Sequence, residues 1–311
     1  VLETHGTLVT LLAICEAVSG IKYHIPDDGG AFSTSFPPST RYSARMLLRP
    51  LWLLSLASCT TALSTMQPAD TLPKGQWHVG GGMSVAVPAT QVITALDDIR
   101  ALEDKLERDP AYQPTDEEQR NYLNAALGLA LNAPGPTTDL MLRYGVADGL
   151  DVGLRWTTTG IHLDGKFQFM RTHSGWNGAL SIGYAHHSFA GLIFDVLELL
   201  RIDDFSRWDL EVPLLLGTRL GQWGQVWLGP KYVFARYHLD AAIENAAMTE
   251  TSEGNIHYLG GLAGFGVGYR WIYAFAELTV MDLLAKPTIL GRKVDIGGLV
   301  VVPAVGVMAR W

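Results

Sequence analysis

The chain has 311 residues, which is enough for one large domain or two domains of ordinary size. Hydrophobic residues make up 48% and charged residues only 17%, a balance that excludes intrinsic disorder. The 23 basic residues are outnumbered by 31 acidic residues, which argues against a nucleic-acid-binding protein. No apolar run reaches the length of a membrane helix, and the two cysteines, Cys15 and Cys59, are too few for a disulfide framework or a four-cysteine zinc site. The composition leaves a soluble β-rich domain or a membrane β-barrel.

The first part of the chain shows neither a helical nor a strand period. Residues 1–45 combine a short apolar stretch with a segment rich in Gly, Ser and Pro, and we interpret them as an over-long gene start without a fold. Residues 46–58 begin at Met46 and have the layout of a secretory signal. The basic Arg45 and Arg49 are followed by an apolar core and then by small residues before a cysteine. The sequence therefore predicts a signal peptide that is removed.

The end of this signal, from Leu56 to Cys59, reads Leu-Ala-Ser-Cys and resembles the lipobox of bacterial lipoproteins. The resemblance implies cleavage before Cys59, whose thiol would carry a diacylglycerol and whose amine an acyl chain. Thr60 stands where an Asp would favour the inner membrane, so the resemblance also implies sorting to the outer membrane. The alternative is a buried cysteine at the end of a short core helix. Residues 59–76 are small, polar and contain Pro, which predicts a flexible lipidated tether.

From Trp77 to Trp311, apolar residues alternate with polar or small ones in segments of about ten residues. This pattern is typical of transmembrane β-strands, and it predicts an all-β fold, an antiparallel transmembrane barrel of about ten strands. The predicted strands run from Trp77 to Val87, Thr138 to Val146, Leu150 to Thr158, His162 to Arg171, Trp176 to His186, Trp208 to Leu220, Gln225 to Tyr237, Asn255 to Tyr269, Ile272 to Met281, and Ile296 to Trp311.

The predicted connections support the same architecture. Those after strands two, four, six and eight are short, whereas those after one, five, seven and nine are long, as expected for periplasmic turns and extracellular loops. The terminal aromatic Trp311, with apolar residues at alternate positions before it, resembles the insertion signal of outer-membrane barrels. We therefore expect a protein of the outer membrane with both termini in the periplasm, in contact with lipid through its outer surface and through Cys59.

Helices are predicted within the long loops, mainly in an insertion at residues 93–131. A stripe of apolar residues follows Thr94, which can serve as an N-cap, and a capping box begins a second helix at Thr115 that continues to Leu131. This acidic helical pair (residues 94–131) is either a solvated cap over the barrel mouth or a docking site for an envelope protein. A further apolar helix is predicted from Phe189 to Leu200.

The inward faces of the predicted strands carry charges of both signs. Because a barrel of this size can be nearly filled by side chains, they predict either a salt-bridged plug or a narrow porin-like pore. Gly264, Gly266 and Gly268 are expected to make room inside the barrel for a large neighbour. The predicted interior polar residues are Arg143, Asp151, Arg155, His162, Asp164, Lys166, Gln168, Asp209, Glu211, Arg219, Lys231, Glu277 and Arg310.

The sequence contains no local motif for hydrolysis, nucleotide binding, cofactor binding or metal ligation. It therefore predicts a non-enzymatic outer-membrane lipoprotein with a structural, envelope-interaction or narrow-pore role. The alternative is a hydrolase at the extracellular rim, because ten-stranded proteases of the omptin type place Asp and His there to activate water. That resemblance is one of architecture only. The candidate rim residues are His162, Asp164, His187, Asp209 and Glu211.

Overall fold

The computed structural model describes residues 62–108, 115, 134–189, 200–243, 248–286, 288–289, 292–293 and 296–311. The predicted gene start, the signal peptide and Cys59 lie outside these residues, as do most of the second predicted helix and most of the stretch from Phe189 to Leu200. Among the described residues, no helix is both long and apolar enough to cross a bilayer.

The described strands form a closed antiparallel barrel, so the predicted fold class is confirmed. The described barrel has ten strands, each paired with the next barrel strand along the chain, and the first also pairs with the last; two short strands pair separately. Trp77 and Trp311 exchange backbone hydrogen bonds of 2.9 and 3.1 Å where the barrel closes. The strands are β1 (Trp77–Pro88), β2 (Gly135–Ala147), β3 (Leu150–Thr157), β4 (Gly160–Arg171), β5 (Trp176–Phe189), β6 (Leu200–Leu220), β7 (Gly224–Ile243), β8 (Met248–Tyr269), β9 (Ile272–Ala285), β10 (Thr288–Ile289), β11 (Arg292–Lys293) and β12 (Ile296–Arg310).

The alternation in the sequence corresponds to inward and outward faces. Along β3, exposed and buried side chains alternate without interruption. We call the end where β1 begins and β12 finishes the terminal end, and the opposite end the loop end. Four tight turns lie at the terminal end, and one of them contains Gly149, whose φ of +83° explains the Asp-Gly sequence there.

The loop end is uneven because β6, β7 and β8 are longer than predicted. β7 and β8 remain paired as far as Ile243 and Met248, whereas β9 pairs with β8 only from Ile256 onward. The long connection predicted after the seventh strand is therefore wrong. The sequence pattern detects only strand segments with an apolar face, and beyond that band a strand has no need to alternate. β3 and β4, in contrast, turn at Thr157 and Gly160.

One helix, α1 (Ala89–Arg108), follows β1 directly and begins before the predicted cap Thr94. It is held against β12 by side chains of its first turn. The Leu299 N–H donates to Thr90 Oγ1 at 2.9 Å, and Gln91 Nε2 donates to the Gly297 carbonyl at 3.1 Å. Gly298 allows this approach, because its φ is +135° and a Cβ there would overlap Thr90.

Residues 62–76 differ most from the prediction. Expected as part of a flexible tether, residues 62–72 instead lie inside the barrel, and residues 73–76 lead from the lumen to β1. We call the whole stretch the lumenal segment. Leu63, Ser64 and Met66 are at most 1% exposed. At the terminal end, the Gly75 N–H donates to the Gly145 carbonyl at 2.8 Å, just before β1 begins. The segment thus runs through the lumen from the loop-end side toward the start of β1.

Gly264 makes room for a large neighbour, as predicted, because a Cβ at this position would overlap the buried ring of Trp227. We expect Gly264→Val to lower the free energy of unfolding by about 1–3 kcal/mol through overpacking. The matched control is Gly165→Val, since no atom lies within 4 Å of a Cβ at Gly165. Urea titration in detergent micelles measures both variants, and equal losses would contradict this account of Gly264.

Candidate functional site

The lumen is the candidate site. In its loop-end half, wall side chains bind the backbone of the lumenal segment. Lys231 Nζ donates to the Leu63 carbonyl at 2.7 Å. The carboxylate of Glu277 accepts hydrogen bonds from the N–H groups of Thr65, at 2.6 Å, and Met66, at 2.9 Å. Wall side chains therefore replace the backbone partners that a single extended segment lacks.

Nearer the terminal end, the wall continues to bind the same segment. Lys166 Nζ donates to the carbonyls of Pro68, at 3.1 Å, and Asp70, at 2.7 Å. Asp151 accepts from the Leu72 N–H at 2.9 Å. The segment is thus hydrogen-bonded to charged side chains along its length, and such bonds are worth about 1.5–3 kcal/mol each.

Apolar side chains of the segment occupy two clusters of the barrel interior. Leu63 belongs to a buried cluster that includes Val233 and Met281. Met66 and Ala69 belong to a second cluster, which includes Trp227. The segment therefore supplies apolar packing in addition to polar contacts.

The charges of the described lumen balance in number. Arg143 binds both Asp151 and Asp164, and Lys231 Nζ lies 2.7 Å from Glu211. Such pairing offsets the cost of burying charge, so the structure matches the salt-bridged alternative of the sequence prediction. The cations are Arg143, Arg155, Lys166, Arg207, Arg219, Lys231 and Arg310; the carboxylates are Asp70, Asp139, Asp151, Asp164, Asp209, Glu211 and Glu277.

The five candidate rim residues do not lie at an open rim. The side chains of His162, Asp164, His187, Asp209 and Glu211 are at most 8% exposed. β5 and β6 continue past them toward the loop end, which places them inside the lumen. His162 Nε2 lies 3.8 Å from Glu211 Oε1, and its Nδ1 lies 3.8 Å from Asp164 Oδ1. His162, Asp164 and Glu211 thus form one buried group, and His187 and Asp209 form another. Both groups lie deeper than the rim at which they were expected.

His187 has the neighbours of a general base without an open reaction site. Its Nδ1 lies 3.2 Å from Thr159 Oγ1, and its Nε2 lies 3.6 Å from Asp209 Oδ2. Asp209 is bound by Arg207 through two hydrogen bonds of 2.6 and 2.8 Å. For hydrolysis, a substrate would have to reach the Thr159 hydroxyl beside His187, and Thr159 is only 5% exposed. The described residues contain no group of three or more His, Cys, Asp or Glu side chains arranged to hold a metal ion.

The sequence did not predict the lumenal segment, although glycines on the inward faces of the strands indicate that something occupies the lumen. A Cβ at Gly82 would lie 2.9 Å from Met66 Sδ, and one at Gly217 would lie 3.0 Å from the Cβ of Ala69. These glycines leave the space that the segment occupies. Such a signal can be interpreted only after the inward face of each strand is known.

The outer surface has the opposite character to the lumen. Large apolar side chains form an exposed band between two groups of aromatic residues. The band includes Val79, Leu154, Ile182, Leu228, Phe265, Leu278 and Val305. The terminal-end group is Trp77, Tyr144, Trp176, Trp223, Tyr269, Trp271 and Trp311; the loop-end group is Trp156, Tyr184, Trp208, Tyr232 and Phe234.

Comparison with known proteins finds weak similarity to solved structures. No family model matches the chain, and no curated protein matches it. Among solved structures, Ail, the attachment invasion locus protein of Yersinia pestis, is 10% identical, with 76% of this chain and 99% of that chain covered and a TM-score of 0.30. Neisserial surface protein A (NspA) is 8% identical, with 75% of this chain and 95% of that chain covered and a TM-score of 0.32. Neither likeness bears on function at this level of identity.

Proposed function

We propose that the chain is an integral outer-membrane barrel that is closed by its own lumenal segment and acts at the envelope surface without catalysis. The observation that carries the proposal is the contrast between the two faces of the wall. The outward face is an apolar band between two aromatic groups, and the inward face is charged. Outer-membrane barrels combine these features because the outer face contacts lipid and aromatic side chains lie at both interfaces.

The filled lumen supports a closed barrel over a porin-like pore. Wall residues from β3, β4, β7 and β9 all bind the lumenal segment. An ion crossing the lumen would have to displace this segment and break its charged hydrogen bonds. We therefore propose a surface role carried by the loop end.

The loop end offers two surfaces for that role. One is the predicted helical pair (residues 94–131), whose first part, α1, packs on β12. The other is the extension of β7 and β8 beyond β9. On it Glu253 accepts hydrogen bonds from Arg236 at 3.1 Å and His238 at 3.2 Å, and these bonds hold its pKa below the usual range. We propose that these surfaces face the cell exterior, with the terminal end in the periplasm.

A charge on the lipid-facing band tests the membrane proposal. Leu278 is 47% exposed near the middle of β9, so in a water-soluble barrel Leu278→Arg would cost little. In a bilayer we expect a loss of about 2–4 kcal/mol, since charge at the midplane is destabilising. Unfolding from lipid vesicles measures this. The matched control is Gln222→Arg in the terminal-end turn, and equal stability of both variants would contradict insertion.

Lipidation of Cys59 is part of the proposal and is supported by the lipobox resemblance. Leu63 is fully buried in the lumen, and a chain of four residues reaches at most about 14 Å. Leu63 packs with Ala86 and Val300 on the loop-end side of the lumen, so the proposed acyl chain would enter lipid at the loop end. This proposal replaces the expectation of a periplasmic N-terminus. Mass spectrometry of the mature N-terminus tests lipidation directly. An intact peptide that joins Ser58 to unmodified Cys59 in membrane-derived protein would contradict it.

A further inference from the structure

A cavity of about 290 Å³ lies at the terminal end, between the lumenal segment and the wall. It borders the tight turn at Gly221 and Gln222, and we call it the terminal-end cavity. Its lining is rich in cationic side chains: Arg143, Arg155, Lys166, Arg219 and Arg310. Among the described residues that line it, the carboxylates are Asp70 and Asp164.

The deeper cations already have carboxylate partners. Arg143 binds Asp151 and Asp164, and Lys166 Nζ lies 3.6 Å from Asp151 Oδ2. Arg155 Nη2 lies 3.7 Å from an oxygen of Glu211. The excess positive charge of the cavity therefore resides nearer its mouth.

Two arginines at the mouth share a single carboxylate oxygen. Arg219 Nη2 and Arg310 Nη1 both bind Oδ2 of Asp70, the latter at 3.5 Å. Arg310 Nε also donates to Gln76 at 3.2 Å. The side chains of Arg219 and Arg310 are 52% and 24% exposed. Because a guanidinium has five N–H donors, one shared oxygen leaves most of the donors for another acceptor.

A third polar group of the cavity has one nitrogen without a partner. His78 Nε2 is buried without a hydrogen-bond partner, and His78 lines the cavity together with both arginines. In one tautomer this nitrogen is a donor. Two guanidinium groups and an imidazole that converge on one space match the chemistry by which proteins bind phosphate and carboxylate groups.

We propose that the terminal-end cavity binds a small oxyanion, a phosphate or carboxylate group, between Arg219 and Arg310. Asp70 is the internal anion that occupies part of the site in its absence. The site needs only the barrel and the lumenal segment, so the inference goes beyond the proposed surface role and stands without it.

Calorimetric titration of the full chain in non-ionic detergent tests the site, with inorganic phosphate and acetate as separate probes at constant ionic strength. We expect one saturable site per chain for at least one probe, and the probe that binds tells phosphate from carboxylate. Arg219→Gln and Arg310→Gln should each weaken binding about tenfold or more. The control is Arg270→Gln, because Arg270 stacks on Tyr269 5.0 Å from the ring centre and does not line the cavity. No saturable binding of either probe, or binding unchanged in both variants, would overturn the proposal.

A gain-of-affinity variant keeps the proposal testable if the arginine variants loosen the segment. Asp70→Asn removes the competing charge while the Asp70 backbone carbonyl still binds Lys166. We expect the affinity for the bound probe to rise about tenfold, because both arginines lose their internal anion. An unchanged or weaker affinity in a variant that folds as the wild type would count against the site.

Discussion

A barrel that begins at residue 73 is expected to conduct ions across a planar bilayer, whereas a barrel that begins at residue 62 is expected to be silent. The shorter chain lacks the part of the lumenal segment bound by Lys231, Glu277 and Lys166, so water enters the lumen and solvates the wall charges. Among the described lumen charges, the shorter chain also loses the Asp70 carboxylate. Cations then outnumber carboxylates by one, so the open lumen should slightly favour anions.

Single-channel recording compares the two barrels, and heat-modifiable migration on a gel serves as the control that both are folded. Steady conductance of the longer chain would show that the segment does not close the lumen. Silence of a folded shorter chain would show that wall side chains alone are sufficient to fill it.

Glu277→Ala is expected to lower the free energy of unfolding by at least about 4 kcal/mol, since it leaves four buried donors without an acceptor at a cost of about 1–3 kcal/mol each. Its carboxylate accepts from the N–H groups of Thr65 and Met66, from Trp227 Nε1 at 3.2 Å and from the Thr279 hydroxyl at 3.2 Å. Glu277→Gln keeps one acceptor oxygen and should lose less.

Urea titration in micelles measures the Glu277 series. Glu253→Ala is the matched control, because Glu253 is exposed and also has two hydrogen-bond partners at the loop end; an exposed pair contributes little. If Glu277→Ala is as stable as Glu253→Ala, the anchoring of the segment by Glu277 is wrong.

The sequence predicts the barrel strands well because an apolar outer face and a polar lumen impose alternation on each of them. The predicted strand ends are wrong where this alternation is no longer required. β7 was predicted to finish at Tyr237 and continues to Ile243, since beyond the apolar band its strand needs backbone pairing but no apolar face. The helix after β1 begins before Thr94 because its first turn is held by β12 rather than by a cap.

The candidate site was predictable in its residues and not in its arrangement. Strand phase places His162, Asp209 and Glu211 on the inward face, but their depth depends on how far β5 and β6 extend. The lumenal segment has no period, because it is bound by side chains of the wall instead of by the backbone of a neighbouring strand. Its composition is also the composition expected of a flexible tether. Only its contacts with the wall distinguish a segment bound in the lumen from a tether.

Cysteine accessibility along the lumenal segment tests the central claim most directly. In a chain with Cys15 and Cys59 replaced by Ser, a single cysteine is placed at Ala69, which is 3% exposed, or at Lys74, which is exposed in the same segment. The folded barrel is treated with a water-soluble maleimide, and each variant is compared with its own heat-unfolded state. The account predicts that Lys74→Cys reacts at the unfolded rate while Ala69→Cys is protected until the barrel is unfolded. Equal, rapid labelling at both positions would contradict the account, because the segment would then be a tether outside the lumen.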